Sequence, residues 1–585
     1  LPISALVGIE GKMFHPMAAT FVIALVGALA LSFTTAPALA SLILSGNAQD
    51  KEPWIMEKIH NIYEPMLRIT LRFRMPIIAG GIPSIFLGAV LFSRLGGEFL
   101  PQLQEGSFAF HMIRPPSTST DMSVELQKKA DQVVLTFPEV SHVFSRLGTG
   151  EVATDPMGIN VTDSYIMLNP REGWPKDAQG SIPTYSELAT SIVKKLETTI
   201  GGQRYLASQP IQMRFNELLE GTRADVAIKV FGPDLKKNME LSKHIQEIVE
   251  KVEGAEDVEL DLAGMSSVLR VKPNTEVLAR VGLSSQEVLD TVSIAIGGEE
   301  VGSYYEEGKR FPILVRLGEK HRKDLNTLED LPVGMGLNIT SPLKSIAKLD
   351  FEETFGSINR ENAERRSAVL VNLRGRDTES FVSEAKQKVD QAISNHDGYR
   401  IEWGGNFKNL QHARNRLLVV TPLALILVLM MIYAAFGNIG QTLLVFSCVP
   451  LALVGGVLGL VAMNLPFSIS AGVGFIALAG IAVLNGVVLV NCFNQLRANG
   501  IQGDALIQQG TQSRLRPVLM TALVDIFGFL PMLLSTGMGA EVQKPLAAVV
   551  IGGIISATSL TLLVLPALYS KFERHFRNTT RAGEA

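Results

Sequence analysis

Residues 417–436 read LLVVTPLALILVLMMIYAAF, and this stretch without a charged residue decides the class of fold. A helix needs about 20 mostly apolar residues to cross the hydrocarbon core of a bilayer, and the stretch meets that requirement. Six further stretches meet it: Met17–Leu44, Pro76–Leu95, Thr442–Met463, Phe467–Cys492, Pro517–Leu534 and Pro545–Tyr569. Buried helices of a soluble enzyme rarely recur at this length, so the sequence predicts a polytopic α-helical membrane protein with seven spans.

The overall composition agrees with this class. Only 19% of the 585 residues are charged, against about 25% in ordinary soluble domains, and the net charge of −4 predicts no nucleic-acid partner. The two cysteines, Cys448 and Cys492, lie in apolar stretches, so neither a disulfide framework nor a paired-cysteine metal motif is predicted. The chain starts with a short apolar run, Leu1–Ile9, which we interpret as the end of a helix whose beginning is absent.

The distribution of Lys and Arg predicts how the chain lies in the bilayer. The connection Ser45–Met75 and the tail after Tyr569 are rich in basic residues, and counting spans puts both on one side. Basic connections stay in the cytoplasm, so we expect membrane helices with their connections at 1–95 and 417–570, and a cytoplasmic tail at 571–585. Residues 96–416 then lie outside. In a bacterium with two membranes this is a periplasmic domain on an inner-membrane protein.

Strand and helix patterns alternate within residues 96–416. A strand, a helix and two strands are predicted in turn at Phe108–Ile113, Met122–Leu135, Val140–Leu147 and Asp163–Leu168. The order recurs at Ala224–Phe231, Asn238–Val252, Asp257–Leu262 and Ser267–Val271, and a third copy is predicted from Ser284–Ala295, Ile313–Leu317, Ala368–Val371 and Phe381–Ser394. Repeated β-α-β units of this length predict an α+β domain of split β-α-β, ferredoxin-like subdomains.

Eight strings spread along the chain carry a family resemblance. They are EGKMFHPMA (10–18), GGEFLPQLQEGSF (96–108), ATDPMGINVTDSYIMLNPREGWP (153–175), QPIQMRFNELLEGTRADVAIKVFG (209–232), INRENAERRSAVLVNLRGRD (358–377), IEWGGNFKNLQHAR (401–414), GFIALAGIAVLNGVVLV (474–490) and RLRPVLMTALVDIFGFLPM (514–532). Together they resemble the heavy-metal efflux branch of the resistance–nodulation–division (RND) pumps, and within it the cobalt–zinc–cadmium resistance type.

The resemblance implies an inner-membrane pump subunit that forms a homotrimer in the lipid bilayer. Such pumps work with a periplasmic adaptor (membrane fusion) protein and an outer-membrane channel, and they export metal ions in exchange for protons. On that pattern the chain runs from the end of TM5 through TM12 and is a C-terminal portion. Residues 96–416 are then porter subdomains plus part of a docking subdomain, and the main proton relay lies outside the chain. Metal ions are the substrate, and no cofactor is expected.

Residues 257–262, DVELDL, alternate acidic and aliphatic side chains. In a strand this puts Asp257, Glu259 and Asp261 on one face, where three carboxylates could supply oxygen ligands to a divalent ion. The alternative from the pattern alone is a half-exposed strand whose acidic face is solvated.

The resemblance adds Glu217 to the candidate metal ligands. The copper and silver branch has a methionine at this point of the string RFNELLEG, and a carboxylate there indicates a harder ion such as Zn²⁺, Co²⁺, Ni²⁺ or Cd²⁺. We therefore expect Glu217, Asp257, Glu259 and Asp261 to form the metal site. Met265 is interpreted as a packing residue, and His111 as structural because no histidine lies near it at a ligand spacing.

Two polar residues inside predicted spans are candidates for the proton pathway. Asp525 is the acid within Pro517–Leu534, and a carboxylate in hydrocarbon costs at least about 2.5 kcal/mol, so it should face the helix bundle. Its alternative role is that of a protonated structural acid. Asn485 could hydrogen-bond toward the proton relay, or it could make an ordinary contact between helices.

Two other functions remain open at this point. One is an RND-type exporter of organic compounds, which would need an aromatic-lined pocket, whereas the region around the acidic strand has few aromatic residues. The other is a non-transporting membrane scaffold. An enzyme is not expected, because no nucleophile–base set, phosphate-binding loop or zinc-hydrolase spacing is present.

Overall fold

The structure is a computed structural model. It describes residues 8–43, 53–98, 104–149, 157–176, 180–220, 224–261, 265–334, 340–393, 398–535, 537 and 539–581.

The first part of the chain is helical. Helices α1 (Gly8–Phe33) and α2 (Thr35–Ile43) meet at a bend of 40° and together match the first predicted span, and α4 (Arg74–Arg94) matches the second. Between them lies α3 (Trp54–Arg72), which was predicted only as a connection. One face of α3 is buried against the membrane helices, where the Tyr63 hydroxyl donates a hydrogen bond to the Leu562 carbonyl at 2.6 Å.

A four-stranded antiparallel sheet begins the α+β domain. Its elements are β1 (Ser107–Ile113), α5 (Thr120–Val134), β2 (Val140–Leu147), β3 (Val161–Leu168), α6 (Tyr185–Thr199) and β4 (Arg204–Ser208). The strand order is β2-β3-β1-β4, so the chain forms a β-α-β-β-α-β unit with both helices on one face. The strands and helix predicted for this unit are all present. After β4 comes the short helix α7 (Pro210–Glu220).

A second unit begins with β5 (Val226–Phe231), α8 (Leu235–Val249) and β6 (Ala255–Leu260). The chain then leaves this sheet for a subdomain with its own small core. Its elements are β7 (Met265–Pro273), α9 (Thr275–Val281), α10 (Ser285–Ile296), β8 (Glu299–Glu306), β9 (Lys309–Val315), α11 (Glu319–Arg322), α12 (Leu325–Glu329), β10 (Pro332–Gly334), β11 (Thr340–Pro342), α13 (Leu343–Ile346) and β12 (Ala347–Phe355).

The chain returns to the second sheet after β12. Strands β13 (Arg360–Glu361) and β14 (Glu364–Leu373), helix α14 (Thr378–Ala392) and strand β15 (Arg400–Gly405) complete it. The order along the sheet is β6-β14-β5-β15, with β13 paired to β14 at the other end of that strand. The second unit is therefore a β-α-β-β-α-β unit like the first, with a subdomain inserted between its second and third strands.

The predicted third copy is wrong. Ala368–Val371 lies in β14, and the described part of Phe381–Ser394 lies in α14, so both belong to the second unit. Ser267–Val271 lies in β7 and pairs with β12 rather than with the second sheet. Ser284–Ala295 and Ile313–Leu317 belong to the inserted subdomain, as α10 and the end of β9 with the residues after it. The error arose because β6 pairs with a strand about a hundred residues later, and strand partners so distant leave no local pattern in sequence.

The last part of the chain is again helical. It comprises α15 (Asn406–Phe436), α16 (Ile439–Phe446), α17 (Cys448–Ala462), α18 (Ile469–Ala498), α19 (Gly503–Leu534) and α20 (Ala540–Arg581). In the described part of the chain, six helical stretches are long and apolar enough to cross a bilayer, with α16 and α17 counted as one, and the bent pair α1–α2 makes a seventh. These seven agree with the predicted spans.

Glycines let α17 and α20 approach each other closely. A Cβ added to Gly459 would lie 2.2 Å from the Ala548 carbonyl oxygen, and one added to Gly455 would lie 2.5 Å from the Gly552 carbonyl oxygen. Both obstacles are backbone atoms of the facing helix. In a bilayer the hydrophobic effect does not drive helices together, and small residues of this kind let the helix backbones approach closely.

Candidate functional site: buried acids between the sheets and the spans

The segment that follows α4 joins the spans to the α+β domain. The Phe467 amide, in the turn between α17 and α18, donates to the Gly96 carbonyl at 2.7 Å, and the Glu98 amide donates back to the Phe467 carbonyl at 3.0 Å. On the other side, the Gly97 amide donates to the Asp377 carboxylate at 3.1 Å. A Cβ on Gly96 would lie 2.1 Å from the Asp377 carboxyl carbon. A side chain at this position would displace the Asp377 carboxylate that links the two domains, which favours glycine there.

The acidic strand β6 does not keep the predicted alternation. Asp257 has a φ of +45°, and the register with β14 shifts between Leu370 and Asn372, so that Asp257 and Val258 form a bulge. As a result Val258 and Glu259 are consecutive buried residues. Such bulges re-aim a side chain. Here the carboxylate of Asp257 accepts a hydrogen bond from the Ala207 amide of the first sheet at 3.2 Å.

Each of the three candidate acids on or next to β6 has its own arginine. Asp257 pairs with Arg374 at 3.0 Å, Asp261 pairs with Arg366 at 2.7 Å, and Glu259 lies 3.5 Å from Arg204. Arg204 belongs to β4, so the last of these pairs joins the two sheets.

Burial dominates the protonation of Glu259 and Asp257 despite their arginines. It raises the pKa of Glu259 to about 7, against the lowering effect of Arg204. Burial also raises the pKa of Asp257, and Arg374 and the Ala207 amide offset part of the effect.

Glu217 lies on a different element, α7. The start of this helix is capped by Glu105, whose carboxylate accepts from the Ile211 amide at 2.6 Å and the Gln212 amide at 2.9 Å. The Glu217 carboxylate lies 3.0 Å from the Arg214 guanidinium, and 14% of its side chain is exposed. Over the residues that the structure describes, no three His, Cys, Asp or Glu side chains are grouped as a metal site requires. The predicted four-acid site thus stays a prediction, with its members on two elements.

His111 is held by a buried carboxylate. Its Nδ1 lies 2.7 Å from one oxygen of Asp163, the residue opposite it on β3, and Arg146 lies 2.9 Å from the other oxygen. The Asp163 side chain is 1% exposed. A carboxylate at one ring nitrogen fixes the orientation of the imidazole. Only the strand register brings these residues together, so no local spacing in the sequence could indicate the pair.

Two further acids near this junction, Asp225 and Glu98, were not predicted. Asp225, at the start of β5, accepts hydrogen bonds from the Leu373 amide at 3.2 Å and the Gln212 side chain at 2.9 Å, and its burial raises its pKa. Glu98 has its pKa raised to about 7 by burial, with the negative charges of Asp377 and Asp225 adding to the effect. The signal for Glu98 was its place in the string GGEFLP directly after a span.

The two polar candidates in the spans differ in their surroundings. Asn485 is buried in α18, with 6% of the residue exposed, whereas Asp525 in α19 is only half-buried. A third polar feature was missed. Gln441 and Asn494 exchange two amide hydrogen bonds of 3.0 Å between α16 and α18.

Comparison with known proteins agrees with this architecture. The chain is 44% identical over 575 residues to the cation efflux system protein CzcA of Alcaligenes sp. (strain CT14). This alignment covers 97% of the chain and 54% of that protein. It is 40% identical to the nickel and cobalt resistance protein CnrA of Cupriavidus metallidurans, covering 97% of the chain and 53% of the relative. The chain spans about half the length of these relatives.

A crystal structure of a heavy metal efflux pump superposes on the chain with a TM-score of 0.87 at 30% identity. The superposition covers 98% of the chain and 57% of that structure. Residues 1–573 match the AcrB/AcrD/AcrF family. The chain therefore belongs to the AcrB/AcrD/AcrF family of RND pumps, and to the heavy-metal type within it.

Proposed function

We propose that the chain forms part of an inner-membrane RND pump that exports divalent heavy-metal cations in exchange for protons. The observation that carries this proposal is the arrangement of two β-α-β-β-α-β units between α4 and α15. It is part of the superposition on the heavy metal efflux pump, which covers 98% of the chain. The names of the relatives, cation efflux and nickel–cobalt resistance, support the same substrate class.

We assign the two units as ferredoxin-like porter subdomains in the periplasm, and the subdomain between β6 and β14 as part of a docking subdomain. The assignment is supported by the two units sharing one strand order, as internal repeats in transporters do. On this proposal the pump is a homotrimer in the inner membrane. It works with a periplasmic adaptor and an outer-membrane channel.

The proposed metal-handling residues are Glu217, Asp257, Glu259 and Asp261. Carboxylates suit Zn²⁺, Co²⁺, Ni²⁺ and Cd²⁺ better than Cu⁺, which prefers sulfur ligands. An acid paired with arginine can take up a metal ion only if the arginine moves away. Because Arg204 and Glu259 lie on different sheets, relative movement of the two units would release Glu259 first.

The test replaces each of the four acids with alanine in the intact pump and measures growth in zinc and cobalt. We expect metal tolerance to fall while the protein level in the membrane is unchanged. The matched control is Glu352→Ala, which removes an exposed acid on β12 that pairs with Arg270 on β7, in the inserted subdomain. Full tolerance in all four variants at normal expression would refute the assignment of the site.

Asp525 and Asn485 are proposed to assist proton transfer. Both lie in spans that the family match includes, and Asp525 is an ionisable group in a helix that crosses hydrocarbon. Asp525→Asn keeps the shape of the side chain and removes its charge. We expect this variant to slow metal-driven proton release from vesicles, and an unchanged rate would remove Asp525 from the pathway.

A further inference from the structure

A cavity of about 530 Å³ lies where the end of α4 meets the α+β domain. Its apolar wall comes from the last turns of α4 and α17 and the turn after α17: Leu91, Leu95, Val461, Leu465 and Pro466. Its polar wall contains Arg94, Glu98, Arg376, Asp377 and Asn464. The cavity thus has an apolar side that continues the surface of two spans and a charged side against the folded domain.

Two of the four charged groups are already engaged. The Asp377 carboxylate accepts from the Ser380 and Gly97 amides, at 2.9 Å and 3.1 Å. Arg376 pairs with Glu384 at 2.7 Å and donates to the Glu253 carbonyl.

Arg94 and Glu98 are differently placed. Within the part of the chain that the structure describes, neither side chain has an ion-pair partner, although they are only four residues apart and line the same cavity. The site therefore offers one positive and one negative group to a ligand.

The surroundings of Glu98 favour an added cation. Burial together with the charges of Asp377 and Asp225 raises the pKa of Glu98 to about 7. A cation beside the carboxylate would offset this cost of ionisation. Arg94, in the same polar wall, can bind an oxyanion through its planar guanidinium.

The apolar wall restricts the ligand to an amphipathic molecule. Ile82, Ile85 and Phe86 of α4 are exposed in the structure and lie in the span, so this helix faces hydrocarbon just below the cavity. Leu91 and Leu95 carry that apolar surface up to the charged groups.

We propose that this cavity binds a phospholipid with a primary ammonium headgroup, phosphatidylethanolamine, from the leaflet next to the α+β domain. Arg94 binds the phosphate, Glu98 accepts hydrogen bonds from the ammonium, and the acyl chains lie along α4 and α17. A quaternary ammonium cannot donate such hydrogen bonds, so phosphatidylcholine binds more weakly, and phosphatidylglycerol lacks the cation altogether. The site is independent of the proposed transport of metal ions.

Native mass spectrometry of the whole chain, purified from membranes and mixed with equal amounts of the three lipids, tests the proposal. We expect a preference of about tenfold for phosphatidylethanolamine over phosphatidylcholine, the effect of a charge-assisted hydrogen bond. Glu98→Gln should abolish this preference, and Arg94→Gln should weaken the binding of all three lipids. Soluble phosphoethanolamine should not compete, because it lacks the chains.

The matched control is the double variant Glu64→Gln and Arg68→Gln. It removes an acid and an arginine that are also four residues apart, on α3. Unchanged lipid binding in this control, with wild-type melting of all variants, supports the site. The proposal is overturned if the wild type shows no headgroup preference, if Glu98→Gln keeps the preference, if the control loses it equally, or if phosphoethanolamine alone competes.

Discussion

Replacement of Gly459 with alanine is expected to destabilise the bundle of spans. The added Cβ would lie 2.2 Å from the Ala548 carbonyl oxygen and 3.0 Å from its carbon. Both are backbone atoms of α20, so the contact cannot be relieved by a side-chain rotation. The two helices must separate by about 1 Å to restore an ordinary contact distance.

The size of the effect follows from this overlap. Overpacking of a well-packed contact costs about 1–3 kcal/mol. With a shift of about 2–4 °C per kcal/mol, the melting midpoint of Gly459→Ala should fall by about 2–12 °C. The variant gains up to about 1 kcal/mol of helix propensity from losing a glycine, which is smaller than most of this range.

The two cysteines of the chain provide the assay. Cys448 and Cys492 are both buried in spans, so a thiol-reactive dye becomes fluorescent only as the bundle opens on heating. The matched control is Gly80→Ala in α4, where an added Cβ meets no atom within 4 Å. If Gly459→Ala melts at the same temperature as Gly80→Ala, the close approach of α17 and α20 does not stabilise the protein and the reasoning fails.

Two further predictions concern buried polar groups; the first uses the thiol assay, and the second follows melting by circular dichroism because thiol labelling itself depends on pH. Asn494→Leu removes the hydrogen-bond partner of the buried Gln441 amide and should lower the free energy of unfolding by about 1–3 kcal/mol. The double variant with Gln441→Leu should recover part of this loss. Equal melting of the single and the double variant would contradict the prediction. Burial raises the pKa of Glu259 from its ordinary value of about 4.5 to about 7, so the folded state binds this proton more tightly than the unfolded state. The free energy of unfolding therefore falls as the pH rises from about 4.5 to about 7. Glu259→Gln should flatten that fall, Glu352→Gln should not, and an unchanged pH profile in Glu259→Gln would show that burial of this acid is not costly.

The spans were predictable because their signal is local. Each predicted stretch corresponds to a helix or to a bent or consecutive pair of helices, and among the described helices outside residues 96–416 only α3 was missed. Its apolar residues are interrupted by charges such as Lys58 and Arg68, so no window of span length stands out. The hydrogen bond from Tyr63 holds α3 against α20, and the two partners lie about 500 residues apart in sequence.

The candidate site was less predictable because it depends on backbone irregularities and distant partners. Alternation in residues 257–262 predicted three acids on one face, but the left-handed backbone at Asp257 breaks the period. The arginines that neutralise these acids come from β4, β14 and the turn after β14, and no spacing in the sequence announces them. The two acids that were not predicted, Asp225 and Glu98, stand at the ends of elements, where periodicity carries no information.

The paired strands β7 and β12 have a consequence for how such pumps can change over time. Met265 and Phe355, the first and last residues of the pair, lie side by side, so the inserted subdomain enters and leaves the second sheet at one place. Segments with adjacent ends can be replaced without altering the scaffold that carries them. A single genetic exchange across these two points would supply a different inserted subdomain to the same second sheet and spans, so this subdomain can diversify while the rest of the chain is kept.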